Sequence, residues 1–369
     1  MAILKQLYLN NFRNFESLDI EFSAGINVFV GDNGQGKSNL LEAVYFLSIL
    51  RSFRTNKVQN IYRWDTTDFI IRGQIKNASG EEKAALQYNS QKRQLRLNGE
   101  PVNKASDFIG RFFAVAFVPE DIELVKGSAG DRRRFLDITL TQLYPDYLSL
   151  LQNYDKGLKA RNKLLRKGTA SLAQIQAFDQ VIIPKAAAIM NYRREFFGDF
   201  KEKLNTSAHE LQAEGDKLKL KYEPSISFPK NNGDLIEHIQ NQFTASLEKD
   251  FQRGMTQAGP HRDDFQVLLN GRQLHRFGSE GQCRLAAICI KLAKASFLLE
   301  EKNEKEIILL VDDVIGELDN ERLSAFYKSL QRVDQVFLAC TSEEHVRNLE
   351  IDQIYYVEDG QITKERNLP

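Results

Sequence analysis

The sequence predicts an α/β fold in which both ends of the chain build one domain around a mainly helical inserted lobe. Three observations carry this reading. Apolar strand-like runs lie toward both ends of the chain, and a glycine-rich loop, "VGDNGQGKSN" at residues 30–39, closes the third of them. Between those regions, residues 126–254 read almost wholly as helix. The expected organisation is therefore a discontinuous lobe of residues 1–125 and 255–369, with an insertion at 126–254. The composition, 42% hydrophobic and 27% charged, is that of a globular rather than a disordered chain. Fifty Lys and Arg balance fifty Asp and Glu. That balance excludes a polycation and leaves room for a local basic patch. Cys283, Cys289 and Cys340 lack metal-ligand spacing and read as structural thiols of a reducing compartment. No signal-peptide layout opens the chain, and no apolar run approaches the ~20 residues that span a bilayer. The expectation is a soluble cytoplasmic protein with no membrane partner.

Taken in order, "ILKQLYLNNF", "ESLDIEF" and "GINVFVG" alternate or run apolar as strands do. A helix follows from Ser38 to about Leu50, with Leu40, Leu41, Val44, Phe46 and Leu47 on an apolar side. Three more strand-like pieces lead to a fourth, "RFFAVAFVP", with a tight turn at Asn98–Gly99. The insertion contains long helical runs, a Pro184 that would begin or kink a helix, and one short strand, "KLKLKYEP". Beyond it come the strand region "DDFQVLLNGRQLHRF", a helix from Ser279, the strand "EIILLVDD", a helix near 319–332, the strand "QVFLACT" and a hairpin at "QIYYVEDGQIT".

Three stretches carry chemistry. "GDNGQGKS" fits G-x-x-x-x-G-K-[ST] over Gly31, Asp32, Asn33, Gly34, Gln35, Gly36, Lys37 and Ser38, with a strand entering and a helix leaving. Glycines let successive N–H groups face a phosphate chain, and the helix N-terminus favours the anion. Lys37 would then reach the β- and γ-phosphates, and the Ser38 hydroxyl a Mg²⁺ ion. The strand "IILLVDD" ends in Asp312 and Asp313, which alternation sends to opposite sides. Asp312 suits the metal and Asp313 an attacking water. Ser279 with Gln282 three places on is a capping box, and the helix start it fixes, with Gly281, suits a phosphate approaching from a partner subunit.

Together these elements resemble the ABC-type ATPases of chromosome maintenance and, more closely, the RecF family of bacterial DNA replication and repair proteins. The matching stretches are "LNNFRNF", "GDNGQGKSNLLEAV", "FVPEDIELVKGS", "DRRRFLD", "GPHRDDF", "FGSEGQCRLAAICIKLA" and "LLVDDVIGELD", in order from residue 9 to 319. The resemblance implies an ABC-type P-loop ATPase head with ATP on Gly31 through Ser38 and Mg²⁺ on Ser38 and Asp312. It implies Lys37, Asp313 and Ser279 as catalytic, Ser279 and Gly281 acting across a dimer, Arg13 near the nucleotide and Thr341 as γ-phosphate sensor. It further implies a weak ATPase that dimerises with ATP on single-stranded, duplex and junction DNA. Its setting would be gap repair and the SOS response, with RecR and RecO as partners. The insertion, about 130 residues, is too short for the coiled-coil arm of an SMC protein.

Two departures from the family pattern bear on dimerisation. Glu280 stands where the family has glutamine and Gly316 where it has serine. A phosphate loop also serves a P-loop small-molecule kinase, an ABC transporter subunit or a nucleotide-gated scaffold.

For DNA, residues 126–254 hold 21 Lys and Arg against 16 Asp and Glu, and "KGLKARNKLLRK" holds six bases and no acid. On a helix Lys156, Lys159, Lys163 and Arg166 share a face, and Tyr154, Leu158 and Leu165 line another. Such a stripe tracks phosphates without reading bases, or is simply a solvated face.

Overall fold

The structure is a computed structural model that describes residues 3–77, 80–89, 92–168, 170–211, 217–230, 233–301, 307–314 and 318–367. The chain opens with β1 (Ile3–Phe12), β2 (Phe15–Glu21), β3 (Gly25–Val30) and α1 (Lys37–Ile49). β4 (Asp68–Asn77), β5 (Gly80–Asn89), β6 (Arg93–Leu97), β7 (Glu100–Val102), α2 (Ala105–Phe108) and β8 (Phe113–Phe117) follow. Next come the helices α3 (Glu123–Lys126), α4 (Ala129–Leu143), α5 (Tyr147–Lys167) and α6 (Leu172–Leu211). Then β9 (Leu218–Glu223), α7 (Leu235–Arg253), β10 (Asp264–Leu269), β11 (Arg272–Gln273), α8 (Leu274–Phe277) and α9 (Glu280–Glu301). The last elements are β12 (Ile307–Asp312), α10 (Asn320–Leu330), β13 (Gln335–Cys340), β14 (Gln353–Glu358) and β15 (Gln361–Asn367).

The chain divides into two compact units. The first comprises Met1–Asp121, Thr206–Glu214 and Ala287–Pro369. Among its described residues are two six-stranded sheets. One has the order β15-β14-β3-β13-β12-β8, parallel except for the edge strand β15. The other is antiparallel, in the order β2-β1-β4-β5-β6-β7. Sequence texture explains the split. Every residue of β8, β12 and β13 is buried, as a parallel strand covered on both faces requires. β2 and β4 instead alternate buried with exposed, as a sheet wetted on one face does. The turn at Asn98–Gly99 takes positive φ at both residues, 51° and 89°, which fits a tight hairpin.

α1 touches strands of both sheets and is buried at Lys37 and from Leu40 through Ile49. The expected single apolar side is thus corrected to burial nearly all round, because sheets cover the helix on two sides. α10 begins where expected, with Asp319 capping the Arg322 N–H at 3.0 Å.

The second unit comprises Ile122–Asn205 and Gly215–Ala286. It holds α3 to α5, α6 as far as Asn205, α7, α8 and a three-stranded sheet of order β11-β10-β9. The insertion expected to close at residue 254 extends further, because β10 pairs with β9 along its whole length, from Asp264↔Glu223 to Leu269↔Leu218. Pro184 does not begin a helix: it lies inside the 40-residue α6.

Candidate nucleotide site

The parallel sheet gathers the site by register. Val30 pairs with Cys340, and Ala339 with Asp312, so Gly31, Thr341 and Asp313 follow three adjacent strands at one edge. Ligands of open parallel sheets bind at that carboxyl edge. The phosphate loop leaves β3 there and enters α1 through Gly36, whose φ is 118°. A Cβ at Gly36 would lie 2.6 Å from the Asn14 amide nitrogen, so any other residue would displace Asn14 as well as strain the backbone.

Lys37 is buried, and its ammonium donates to the carbonyls of Gly31 (2.6 Å) and Asp32 (2.8 Å). Ser38 Oγ donates to Asp312 Oδ1 at 2.8 Å, which closes a gap of 274 residues in sequence. Burial, with Asp313 and Glu120 nearby, raises the Asp312 pKa to about 6, against the opposing Ser38 hydrogen bond and Arg54 charge. A buried carboxylate with that balance gains from a cation, and the hydroxyl and carboxylate oxygens suit a hard one such as Mg²⁺. Asp313 corrects the alternation argument. β12 ends at Asp312, and Asp313 takes a left-handed backbone, φ 54°, so strand alternation does not reach it.

Groups given no role by the sequence brace this loop. Asn14 Nδ2 donates to the Gln35 carbonyl (3.0 Å), and its Oδ1 accepts from Asn39 Nδ2 (2.8 Å). From the β14–β15 turn, Gly360 N–H reaches the same Gln35 carbonyl at 2.9 Å, and Asp359 N–H the Gln35 side-chain oxygen at 2.6 Å. Gln35, expected to face the nucleotide, thus spends both oxygens on this brace. Arg54 Nη1 donates to Asn39 Oδ1 at 2.9 Å, beside Ser38. Arg13 is held by both oxygens of the buried Glu42 on α1, at 2.8 and 2.7 Å, and by the Asn60 carbonyl.

In the second unit the capping box forms as read. Ser279 N–H donates to Gln282 Oε1 (2.9 Å), and Gln282 N–H to Ser279 Oγ (3.2 Å). Gly281 has open space where a Cβ would stand. Glu280 pairs with Arg284 one turn on, at 2.7 Å, and this bond holds its carboxyl below the usual range. Gly316 lies outside the described residues.

On α5, Lys156, Lys159, Lys163 and Arg166 are exposed and Tyr154, Leu158 and Leu165 buried. Arg161, a fifth base of the same run, is wholly buried against Asp179 (2.6 Å), Asp250 (2.7 Å) and Thr256 (2.9 Å). "DRRRFLD" and "GPHRDD" prove to be one joint. Arg132 forks onto Asp264 (2.7 and 2.9 Å) and Arg133 reaches the Asp263 carbonyl (2.7 Å). Buried Arg193 binds Asp263 (2.8 Å), Asp137 (2.9 Å) and the Pro260 carbonyl (2.6 Å). His261 sits between Tyr154 OH (2.7 Å) and the Thr256 carbonyl (3.1 Å). A carbonyl only accepts, so Nε2 carries the hydrogen and Nδ1 accepts from the tyrosine. Burial lowers the His261 pKa to about 4 and keeps it neutral. All three cysteines are buried free thiols.

Phosphate loop, Ser38–Asp312 pair and strand register define a P-loop ATPase head of the ABC and SMC class. The RecF/RecN/SMC N-terminal domain family matches residues 3–364. The chain belongs to the RecF family. The DNA replication and repair protein RecF of Leptospira interrogans is 34% identical over 367 residues, spanning 97% of this chain and 98% of that one. The same-named protein of Oceanobacillus iheyensis is 36% identical over 366 residues, spanning 97% and 99%. A solved structure of the recombination mediator protein RecF with ATP, of the RecFOR pathway, matches with TM-score 0.90 at 33% identity, covering 100% and 98%. A Pyrococcus yayanosii Smc head domain, at 12% identity and TM-score 0.57, shares the fold alone. Among the described residues, no helix is long and apolar enough to cross a membrane.

Proposed function

We propose that this chain is an ATP-dependent DNA-binding protein of DNA replication and recombinational repair, a weak ATPase of the cytoplasm. Two copies close around two ATP molecules on single-stranded, duplex and junction DNA, and slow hydrolysis releases them. The setting is gap repair and the SOS response. The RecFOR naming of the solved relative supports RecR, with RecO, as partners.

The observation that carries the reading is the assembled half-site: Lys37, Ser38, Asp312, Asp313 and Thr341 at one sheet edge. Mg²⁺, held by Ser38 Oγ and Asp312, would supply charge neutralisation between the β- and γ-phosphates. Lys37 exchanges its two carbonyl partners for phosphate oxygens. Asp313 orients the attacking water and takes its proton. Thr341 offers a hydroxyl to the γ-phosphate. Ser279 and Gly281 serve the nucleotide of the other copy, leaving each site incomplete until two copies meet. The exposed bases of α5, Lys156, Lys159, Lys163 and Arg166, track DNA phosphates.

Light scattering with and without ATP tests this. Mass doubles with ATP in the native protein, and Asp313→Asn holds the doubled mass after native protein has returned to monomer. Unchanged mass in both proteins ends the dimer switch.

A further inference from the structure

The chain contains one tryptophan, and among the described residues it is the most exposed of the large apolar side chains, at 89%. Tryptophan is usually among the best-covered residues, because burying its ring removes ~150–250 Å² from water. Trp64 is not exposed through slackness. Its turn is closed by Thr66 N–H to the Arg63 carbonyl at 3.1 Å, with Asp65 left-handed at φ 61°. Arg63 N–H is tied to the Asn11 carbonyl at 3.0 Å, and its guanidinium to Glu16 at 3.0 Å. A pinned backbone therefore presents a bare indole to solvent.

The stretch of chain leading to it indicates what it meets. Residues 51–64, "RSFRTNKVQNIYRW", hold four bases and no acid. Arg51, Arg54, Asn56, Lys57, Gln59 and Asn60 are exposed. Asp65 and Asp68 follow in the chain and mark where the basic stretch stops. The exposed side chains leading up to Trp64 are cations and amides, a charge complement for a phosphate-bearing partner. A nucleobase needs only one aromatic face, with cations beside it for the backbone phosphates. Bases inside a duplex already use both faces on each other; only unpaired bases have a face to offer.

We propose that Trp64 is a stacking site for an unpaired DNA base, with Lys57 and Arg51 holding the flanking phosphates. The inference rests on the DNA-binding reading above and adds to it a contact in the first unit, remote in sequence from α5. It makes single-stranded DNA the occupant of this surface.

Because the tryptophan is unique, its fluorescence reports on position 64 alone. Oligo-dT is expected to quench it in step with binding followed by anisotropy of a labelled strand, whereas blunt duplex and MgATP leave it unchanged. Trp64→Ala should weaken oligo-dT binding about 5- to 150-fold, the range of one lost base stack, and leave ATP affinity as it was. Trp64→Phe should retain most of the affinity. Lys57→Ala should flatten the salt dependence by about 0.7 in slope. Oligo-dT binding without quenching, and undiminished in Trp64→Ala, overturns the site while the DNA reading stands. Quenching by MgATP alone overturns it in favour of the nucleotide base. Absence of binding to every DNA overturns both.

Discussion

The carboxyl edge of the parallel sheet and the joint around Arg193 both gather charges, to opposite ends. At the sheet edge Lys37 rests on two backbone carbonyls, and Asp312 has a single hydroxyl as its hydrogen-bond donor. Neither has an opposite charge in bonding distance among the described residues. At the joint Arg193 is shared by Asp137 and Asp263, which also accept from Tyr147 (2.7 Å) and Tyr222 (2.5 Å). Charges that lack their counter-ion await a ligand, and charges that have it are architecture. Sequence motifs do not separate the two: "DRRRFLD" and "GPHRDD" resemble functional motifs as much as "GDNGQGKS" does.

The strongest test breaks the joint. Arg193→Met leaves the buried Asp263 and the half-buried Asp137 without their cation and should cost about 3–5 kcal/mol, seen as a lowered denaturation midpoint. Nucleotide affinity of the protein that remains folded should not change. Lys37→Ala is the converse. Loss of one charge-assisted phosphate contact should weaken ATP binding by about 2–5 kcal/mol in isothermal titration, with the denaturation midpoint nearly unmoved. If the two variants exchanged these signatures, the distinction between site and architecture would collapse.

Acid sharpens the comparison at smaller scale. His261 has a folded pKa of about 4, below the ordinary 6.5, so between those values the unfolded chain binds a proton that the folded one refuses. Its contribution is whole above pH 6.5 and falls by up to about 1.4 kcal/mol per pH unit down to pH 4. Denaturation curves across that window should steepen this way in native protein and flatten in His261→Gln. The smallest effect belongs to Glu280. With Arg284 as its partner, Glu280→Gln should barely change the ATP concentration that drives dimerisation. Arg284→Ala, which frees the carboxylate, should raise it, and the double variant should restore it.

Much of the site was legible because it is local. Lys37, Ser38 and the Asp312 strand declare themselves through glycine spacing and an apolar run ending in acids. The brace was not legible: Asn14 and Asp359–Gly360 meet Gln35 from hairpin turns 21 and 324 residues away. The all-round burial of α1 likewise depends on two sheets that no periodicity reveals. Arg161 is a different lesson. It stands three residues after Leu158 and four before Leu165, so helical phase alone places it on the buried face, and counting bases concealed this.

The brace on Gln35 also sets an order of events during synthesis. A ribosome delivers the phosphate loop early, yet Asp359, which steadies it, arrives 324 residues after Gln35. At bacterial elongation speeds of ~5–20 residues per second, that is a delay of roughly 15–65 seconds. A chain cut short anywhere in that interval carries the nucleotide motif without its support. The loop and the turn that braces it are thus joined only when nearly the whole chain has been made.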